Sequence, residues 1–233
     1  MIKEVINELH RELPATVKLV AVSKFHPFEA IEEAYQAGQR AFGESRPQEL
    51  LAKVRSLEDI RAERGDPEYM SDIEWHFIGH LQTNKLKMVL PYASLVHSVD
   101  SVRLLDAIDR WGAANGKVTD VLLECFISSD ETKQGFSEDE LTDILSGEKV
   151  YANVRICGLM GMATFTDDKD VVRSDFQRLL DMQQVLHDWM GESPNVRPGC
   201  NELSMGMSDD YPIAVAMGST IVRIGSMIFG ERC

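Results

Sequence analysis

Short apolar segments with strand character alternate with helical segments along the whole of this sequence. The helical segments place apolar residues three and four apart, whereas the strand segments are brief, rich in β-branched residues and apolar on both faces. Eight strand-then-helix units within 233 residues favour an α/β fold in which residues 1–233 form one (β/α)8 barrel domain. A doubly wound open sheet is the alternative, but no glycine-rich dinucleotide fingerprint follows the first strand.

The boundaries of these elements follow from the apolar periodicity and from the positions of glycine and proline. The predicted strands are 17–23, 40–43, 74–78, 94–99, 118–127, 154–159, 202–205 and 220–224. The predicted helices are 1–13, 27–37, 47–57, 82–90, 101–114, 137–145, 170–190 and 209–217. The polar stretch 61–71 is predicted to be a surface loop or an extension of the preceding helix.

The charge of the chain limits the partners it can take. A formal net charge of -14 argues against a protein that binds nucleic acid or an anionic membrane, because both need a basic face. A local anion site remains compatible with this charge, since backbone N–H groups bind phosphate without basic side chains. No apolar run approaches the roughly 20 residues that cross a bilayer, and the amphipathic first segment is unlike a secretion signal. We therefore expect a cytoplasmic protein without membrane contact.

The cysteines and histidines give no sign of a metal site. The four cysteines lack the C-x-x-C spacing typical of zinc sites, and no disulfide framework is predicted. Cys125 and Cys157 lie in apolar strand segments and are predicted to be small core residues. His76 is predicted to be a hydrogen-bonded histidine inside the barrel, and His80 is predicted to border the functional site.

Small and polar residues gather where the predicted strands end, while the strand interiors stay apolar. In a (β/α)8 barrel the chemistry takes place at the carboxyl ends of the strands, which meet at one mouth. The strand ends carry, in order, Ser23-Lys24, Gly43-Glu44-Ser45, Gly79-His80, Ser98, Ser128, Met160-Gly161-Met162, Ser204-Met205-Gly206 and Gly225-Ser226. Eight such endings together predict a mouth that a ligand enters.

The last two strand ends indicate phosphate binding. Barrels often hold phosphate in the loops after strands seven and eight, with backbone N–H groups, a hydroxyl and the first turn of a short extra helix. The segments "LSMGMS" (203–208) and "VRIGSMIFG" (222–230) supply glycines and serines at these places. The alternative is that Ser208 only caps the helix 209–217 and that Gly225 only turns the chain.

Two cationic residues belong to this predicted mouth. Lys24 follows the strand "LVAVS" and is either a solvated strand end or a group held at a site, where desolvation makes a lysine more nucleophilic. Arg223 lies within the eighth strand, opposite in phase to its apolar neighbours, and a buried guanidinium needs a partner. It either pairs with a carboxylate such as Glu202 or faces a bound ring, to which it can only donate hydrogen bonds.

Taken together and in order, several motifs resemble those of the pyridoxal-phosphate homeostasis protein family: "LVAVSK", "FGES" followed by "PQE", "WHFIGHLQTNK", "HSVD", "GLMGMATF", "LSMGMSDDY" and "GSTIVRIGSMIFGER". That family consists of cytoplasmic, single-domain relatives of the alanine racemase barrel domain, and the resemblance covers nearly the whole chain. It implies that Lys24 forms an internal aldimine with pyridoxal 5'-phosphate and that Arg223 lies beside the pyridine nitrogen. It also implies the residues that hold the cofactor phosphate, which are Ser204, Gly206, Gly225 and Ser226.

The sequence departs from the family pattern at one cofactor-binding position. The family usually has asparagine where this chain has Ser45, in "FGES". Serine offers one rotating hydroxyl in place of a carbonyl and an NH2 group. The contact between this position and the cofactor is therefore expected to differ from that in relatives.

The resemblance implies a carrier that serves intracellular vitamin B6 and amino-acid/keto-acid homeostasis, acts as a monomer and exchanges cofactor with cofactor-dependent apo-enzymes. Two other functions stay open. One is a pyridoxal-phosphate-dependent amino-acid racemase or lyase that uses Lys24, and the other is a barrel enzyme acting on a phosphorylated substrate without this cofactor. In alanine racemase the second proton-transfer group is a tyrosine on another domain, whereas this sequence ends at Cys233 soon after the eighth strand. We therefore expect no efficient racemisation.

Overall fold

In the computed structural model, which describes residues 1–128, 134–196 and 199–230, eight parallel strands close into a barrel. Each strand pairs with the next one along the chain, and the last strand pairs with the first. The strands are β1 Lys18–Val22, β2 Ala41–Glu44, β3 Glu74–Phe77, β4 Ala93–Val99, β5 Thr119–Glu124, β6 Val154–Met160, β7 Glu202–Ser204 and β8 Ile221–Ile224. The predicted (β/α)8 barrel is confirmed.

Helices surround this barrel, with one before β1, one in each connection between strands and a short one after β8. They are α1 Ile2–Glu12, α2 Phe28–Gln36, α3 Pro47–Arg64, α4 Leu86–Val89, α5 Val102–Asn115, α6 Glu138–Ser146, α7 Lys169–Asp188, α8 Tyr211–Ala216 and α9 Ser226–Phe229. The predicted helix 82–90 is instead a 3-10 turn, Thr83–Lys85, followed by the single turn α4. The predicted extension of the helix before 61–71 is confirmed as far as Arg64.

The fifth strand is shorter than its apolar sequence predicts. The prediction covered 118–127, but β5 ends at Glu124. Beyond that point the backbone N–H of Cys125 still donates to Met160 of β6 at 2.8 Å, and Cys125 also pairs with Phe136 of a later segment in an isolated bridge. Residues that are apolar enough for a strand are here used to bury the start of the β5–α6 connection.

The apolar core has two layers, because successive side chains of a strand point alternately into the barrel and toward the helices. The inner layer is formed by Val20, Ala41, Leu95, Leu122, Met160 and Ile221. The larger outer layer fills the space between strands and helices. Cys125 is buried in the outer layer, as predicted, whereas Cys157 packs against the inner layer and is only partly buried. Cys233 lies outside the described residues.

The closed barrel brings all eight carboxyl strand ends to one mouth, which is where the sequence places its polar endings. No helix in the described part of the chain is long and apolar enough to cross a membrane. Within 1–128, 134–196 and 199–230, no group of three or more His, Cys, Asp and Glu side chains is arranged to hold a metal ion.

Candidate functional site

A cavity of about 570 Å3 opens at the carboxyl-terminal end of the barrel. Its volume lies in the range of small-molecule sites, roughly 300–1,000 Å3. Four of the seven site residues expected from the sequence line this cavity, namely Lys24, Arg223, Gly225 and Ser226. The structure therefore brings the ends of the first and eighth strands together around one space.

Lys24 lies in the turn that follows β1, and a buried cluster fixes the backbone just before it. Lys53 of α3 donates from Nζ to the carbonyl oxygen of Ser23 at 2.7 Å and to Oε1 of Glu44. The Ser23 hydroxyl donates to the same Glu44 oxygen at 2.6 Å. The carbonyl and the hydroxyl of Ser23 are thus both hydrogen-bonded by side chains from β2 and α3. These bonds fix the strand end that precedes Lys24.

The ion pair between Glu44 and Lys53 is almost fully removed from water, with side chains that are 0% and 9% exposed. Burial raises the pKa of the Glu44 carboxyl, and the charge of Lys53 opposes that rise. The second carboxylate oxygen, Oε2, is buried and has no hydrogen-bond partner among the described residues. The carboxylate therefore depends on Lys53 and Ser23 for its compensation.

The turn after Lys24 has an unusual backbone. Phe25 has φ of 68°, the left-handed region that bulky residues rarely adopt. Its N–H donates to the Glu49 carboxylate at 3.0 Å, and the guanidinium of Arg46 lies over its ring at 4.5 Å. These contacts hold a conformation that would otherwise be unfavourable, and they turn the chain directly beside the lysine.

Arg223 projects from β8 and is only 4% exposed. Its Nη1 donates to the carbonyl and the hydroxyl of Ser204 at 2.9 and 2.5 Å, and its Nη2 donates to the carbonyl of Gly161 at 3.1 Å. Burial lowers the pKa of Arg223 to about 10, so the guanidinium still carries its proton at neutral pH. The alternative pairing with Glu202 is not found in the described structure, where that carboxylate accepts from Thr220.

Ser204 and Gly206 lie beneath the cavity and do not line it. The Ser204 side chain is fully buried, and its hydroxyl contacts Arg223 and His97. Gly206 has φ of 96°, and a Cβ there would lie 2.6 Å from the Cβ of Ala214, so only glycine fits. The carbonyl of Gly206 accepts from the backbone N–H of Arg223 at 2.9 Å. The phosphate contacts expected of these two residues stay predictions.

A second serine of the same motif, Ser208, does line the cavity. The hydroxyl of Ser226 donates to that of Ser208 at 3.1 Å, which links the loop after β7 to the start of α9. The alternative that Ser208 only caps a helix is wrong, because α8 begins at Tyr211 and its N-cap is Asp210. Ser208 is the serine of this motif that lines the cavity.

The last glycine of the predicted mouth allows a close approach between two strands. A Cβ at Gly225 would lie 3.2 Å from both Cβ and the carbonyl oxygen of Val22, at the end of β1. Gly225 therefore lets the ends of β8 and β1 meet, which keeps Ser226 and Lys24 on the same cavity.

Two further predicted residues lie elsewhere. Ser45 is partly buried after β2 and is not among the residues that line the cavity, so its cofactor contact stays a prediction. His80 lies beside a different cavity of about 440 Å3, where its Nδ1 is 2.9 Å from the carboxylate of Asp100. This corrects the prediction that His80 borders the site. His76 is 1% exposed and hydrogen-bonded to His97, as predicted for a barrel histidine.

Comparison with known proteins agrees with this geometry. The model of the family described as "Alanine racemase, N-terminal domain" matches residues 1–233. A pyridoxal phosphate homeostasis protein from Aquifex aeolicus is 38% identical over 215 residues, which cover 92% of this chain and 87% of that protein. The protein of the same name from Mus musculus is 39% identical over 233 residues, which cover 95% of this chain and 80% of that protein.

A closed barrel with a lysine after its first strand and a buried arginine in its eighth defines a barrel of the alanine racemase N-terminal type. Within that class, the chain belongs to the pyridoxal phosphate homeostasis protein family.

Solved structures show the same relationship. PipY of Synechococcus elongatus PCC7942, with PLP bound, matches with a TM-score of 0.86 and 36% identity, covering 99% of this chain and 100% of that chain. Alanine racemase from Corynebacterium glutamicum matches with a TM-score of 0.69 at 17% identity. This chain covers 60% of that racemase, and the likeness is one of fold alone.

Proposed function

We propose that this protein binds pyridoxal 5'-phosphate at the mouth of its barrel and serves intracellular vitamin B6 and amino-acid/keto-acid homeostasis as a carrier of the cofactor. One observation carries the proposal: Lys24 and Arg223 open onto one cavity together with Ser208 and Ser226. An amine, a guanidinium and two hydroxyls match the aldehyde, the ring nitrogen and the phosphate of this cofactor. PipY, a relative at 36% identity, has PLP bound, which supports the assignment.

Lys24 is the residue proposed to hold the cofactor covalently. Bound pyridoxal phosphate supplies an aldehyde and an electron-withdrawing ring. A lysine at a partly desolvated strand end is suited to bond such an aldehyde, because desolvation favours the neutral, nucleophilic amine. The cluster around Ser23 supports this role, since it fixes the backbone from which Lys24 extends.

Arg223 is proposed to face the nitrogen of the cofactor ring. Three of its five N–H groups are used by Ser204 and Gly161, which leaves two N–H groups for the cavity that it lines. A permanent donor at that position keeps the ring nitrogen an acceptor and weakens the ring as an electron sink. The arrangement lowers the rate of carbanion chemistry on the ring without by itself deciding between a carrier and a racemase.

Ser208, Ser226 and the first turn of α9 are proposed to hold the phosphate. Titrating the protein with pyridoxal phosphate should then give an absorption change that saturates at one equivalent. Replacing both serines by alanine should weaken binding by roughly a hundredfold or more, because hydrogen bonds to a charged group are each worth about 1.5–3 kcal/mol. The loss should be much smaller for unphosphorylated pyridoxal, measured in the same titration.

Ser204→Ala is the matched control for this double variant. Its hydroxyl supports Arg223 and does not line the cavity, so we expect equal losses for pyridoxal phosphate and pyridoxal. A loss confined to pyridoxal phosphate would restore the phosphate role expected of Ser204 from its motif. A protein that shows no absorption change with either ligand would overturn the proposed function.

Racemisation is expected to be slow. A two-base racemase needs a proton-transfer group on each face of the substrate, and Lys24 supplies one. No tyrosine is among the described residues that line the cavity, and the donor at Arg223 disfavours the carbanion. With L-alanine in deuterated water, exchange at the α-carbon should stay below about 1 per second, the lower end of ordinary turnover. A faster rate would favour the racemase alternative.

The remaining features of the proposal concern where and with what the protein acts. We infer one cofactor-binding domain that works in the cytoplasm as a monomer and passes pyridoxal phosphate to cofactor-dependent apo-enzymes. The open cavity supports such exchange, because a ligand at the barrel mouth can be reached from outside.

A further inference from the structure

Four buried or partly buried side chains connect Arg223 to the opposite end of the barrel. They are Ser204, His97, His76 and Glu74, here named the interior chain. The Ser204 hydroxyl is 2.9 Å from His97 Nδ1, and His97 Nε2 is 2.8 Å from His76 Nδ1. His76 Nε2 lies 3.5 Å from Glu74 Oε2, which is the longest link. The interior chain thus starts beneath the cofactor cavity and ends near the amino-terminal face, where Glu74 lines another cavity.

At the Arg223 end of the interior chain, the hydrogen bonds determine whether His97 Nδ1 carries a proton. Arginine can only donate, so the Ser204 hydroxyl accepts from Arg223. The hydroxyl proton then needs an acceptor, and the other partner of this oxygen among the described residues is His97 Nδ1. A fully buried hydroxyl without an acceptor is costly. His97 Nδ1 is therefore unprotonated.

The Glu74 end of the interior chain also requires each hydrogen bond to be donated in the direction from Arg223 toward Glu74. Hydrogen bonding from His76 is the main cause that lowers the pKa of Glu74 to about 2, and Lys18 adds to it from 2.7 Å, so Glu74 is an ionised acceptor. His76 Nε2 must donate to it. The burial of His76 and His97 lowers the pKa of both rings, so each carries one proton. His76 Nδ1 then accepts from His97 Nε2, which again leaves His97 Nδ1 unprotonated.

The charges around the two rings support the neutral forms. Lys18 and Arg223 disfavour a proton on His97, and Lys18 does the same at His76. Glu74 and Glu202 act in the opposite sense on His76, but burial is the larger effect. The reverse direction would place a ring lone pair against the Glu74 carboxylate and leave the Ser204 proton without an acceptor.

We propose that the interior chain is a one-way series of hydrogen bonds, from Arg223 to Glu74, and that His97 and His76 are positioning residues for Arg223. By accepting a hydrogen bond from the Ser204 hydroxyl, His97 keeps the lone pairs of that hydroxyl turned toward the guanidinium. The remaining donors of Arg223 then stay directed at the cavity. The functional consequence rests on the proposed function, in which these donors meet the cofactor ring.

The direction of the interior chain can be read in the cofactor-free protein. Nitrogen-15 NMR of the histidine rings separates the two neutral tautomers from the charged ring. We expect His97 and His76 both to be neutral with the proton on Nε2 at about pH 8, which lies above the ordinary histidine pKa of about 6.5. Assignment by single replacement is practical, since the chain has 6 histidines. A proton on Nδ1 of His97, or a charged ring, would overturn the proposal whether or not the protein binds pyridoxal phosphate.

Two nearly isosteric variants test the effect on the cofactor. His97→Asn keeps an acceptor near the position of Nδ1, whereas His97→Leu keeps none. We expect His97→Leu to weaken pyridoxal phosphate binding roughly tenfold and to shift the absorption of the bound form, and His97→Asn to stay within about threefold of the parent. His80→Leu, at a histidine beside another cavity, should change neither.

Thermal unfolding of each variant separates this effect from a general loss of structure. Equal losses of affinity in folded His97→Asn and His97→Leu proteins would show that the hydrogen bond does not position Arg223. If His97→Leu does not fold, the tautomers of the parent protein and the affinity of His97→Asn still decide the question.

Discussion

Replacing Lys24 with arginine should abolish covalent attachment of pyridoxal phosphate to this protein. Arginine keeps its positive charge and similar reach, but its guanidinium does not give up a proton to become a nucleophile. Borohydride reduction of the loaded parent protein should leave the cofactor permanently on the peptide that contains Lys24. In Lys24→Arg the peptide should stay unlabelled, and the yellow colour of the loaded protein should be lost. Mass spectrometry of the digested protein measures both outcomes.

Lys18→Arg is the matched control, because Lys18 lies at the other end of the same strand. Its Nζ pairs with Glu74 on the amino-terminal face, and arginine can keep that ion pair. Labelling at Lys24 should be unchanged in this variant. A label on any other lysine of the parent protein, or full labelling of Lys24→Arg, would remove Lys24 from the proposed site.

The barrel was predictable from this sequence because its main signal is local. Each strand is a short apolar run that ends in small or polar residues, and each connection carries a helical period. The register of a closed barrel then places all strand ends at one mouth without further information. Lys24 and Arg223 were found by this argument, one at the end of β1 and the other out of phase within β8.

The choice between the two serines of "LSMGMS" was not predictable in the same way. Ser204 and Ser208 flank Gly206, and the left-handed turn at that glycine decides which hydroxyl faces the cavity. The sequence permits such a turn but does not fix its direction. The apolar periodicity therefore predicts where the loop lies, whereas only the backbone geometry shows which of its two serines faces the cavity.

The buried partners below the cavity were hidden for two other reasons. Lys53 lies in a helix, where a lysine is normally predicted to face solvent. Only the packing of α3 on β2 brings its side chain to Glu44. His97 lies in β4 where the pairing with β5 shifts register between Val96 and Val99. Alternation with Leu95 of the inner layer indicates that His97 faces inward, but its contact with Ser204, 107 residues later, depends on the closed barrel.

Lys53→Met should destabilise the protein by about 3–5 kcal/mol, because it leaves the carboxylate of Glu44 buried without its counter-charge. Methionine fills similar space, so the loss reports charge and hydrogen bonding more than packing. Lys53 also donates to the Ser23 carbonyl, and the variant should bind pyridoxal phosphate more weakly as the turn before Lys24 loosens. The double variant Lys53→Met/Glu44→Gln should recover most of the stability, since glutamine is neutral and still accepts from Ser23.

The pH dependence of the Lys53→Met deficit distinguishes a lost charge pair from lost packing. In the parent protein burial already raises the pKa of Glu44 above its ordinary value of 4.5, while Lys53 opposes the rise, so removing Lys53 should raise this pKa further. A carboxyl whose pKa is raised on folding favours the folded state fully at pH below its unfolded pKa, and that stability is lost as pH rises through the folded value. The difference in unfolding free energy between parent and variant should therefore be smallest in acid and should grow above about pH 4.5. Urea unfolding across this range measures the difference, and Lys53→Met/Glu44→Gln should lack the dependence because it has no carboxyl to titrate there. A deficit of the same size at every pH would mean that Lys53 stabilises the strand end through packing and its bond to Ser23 alone.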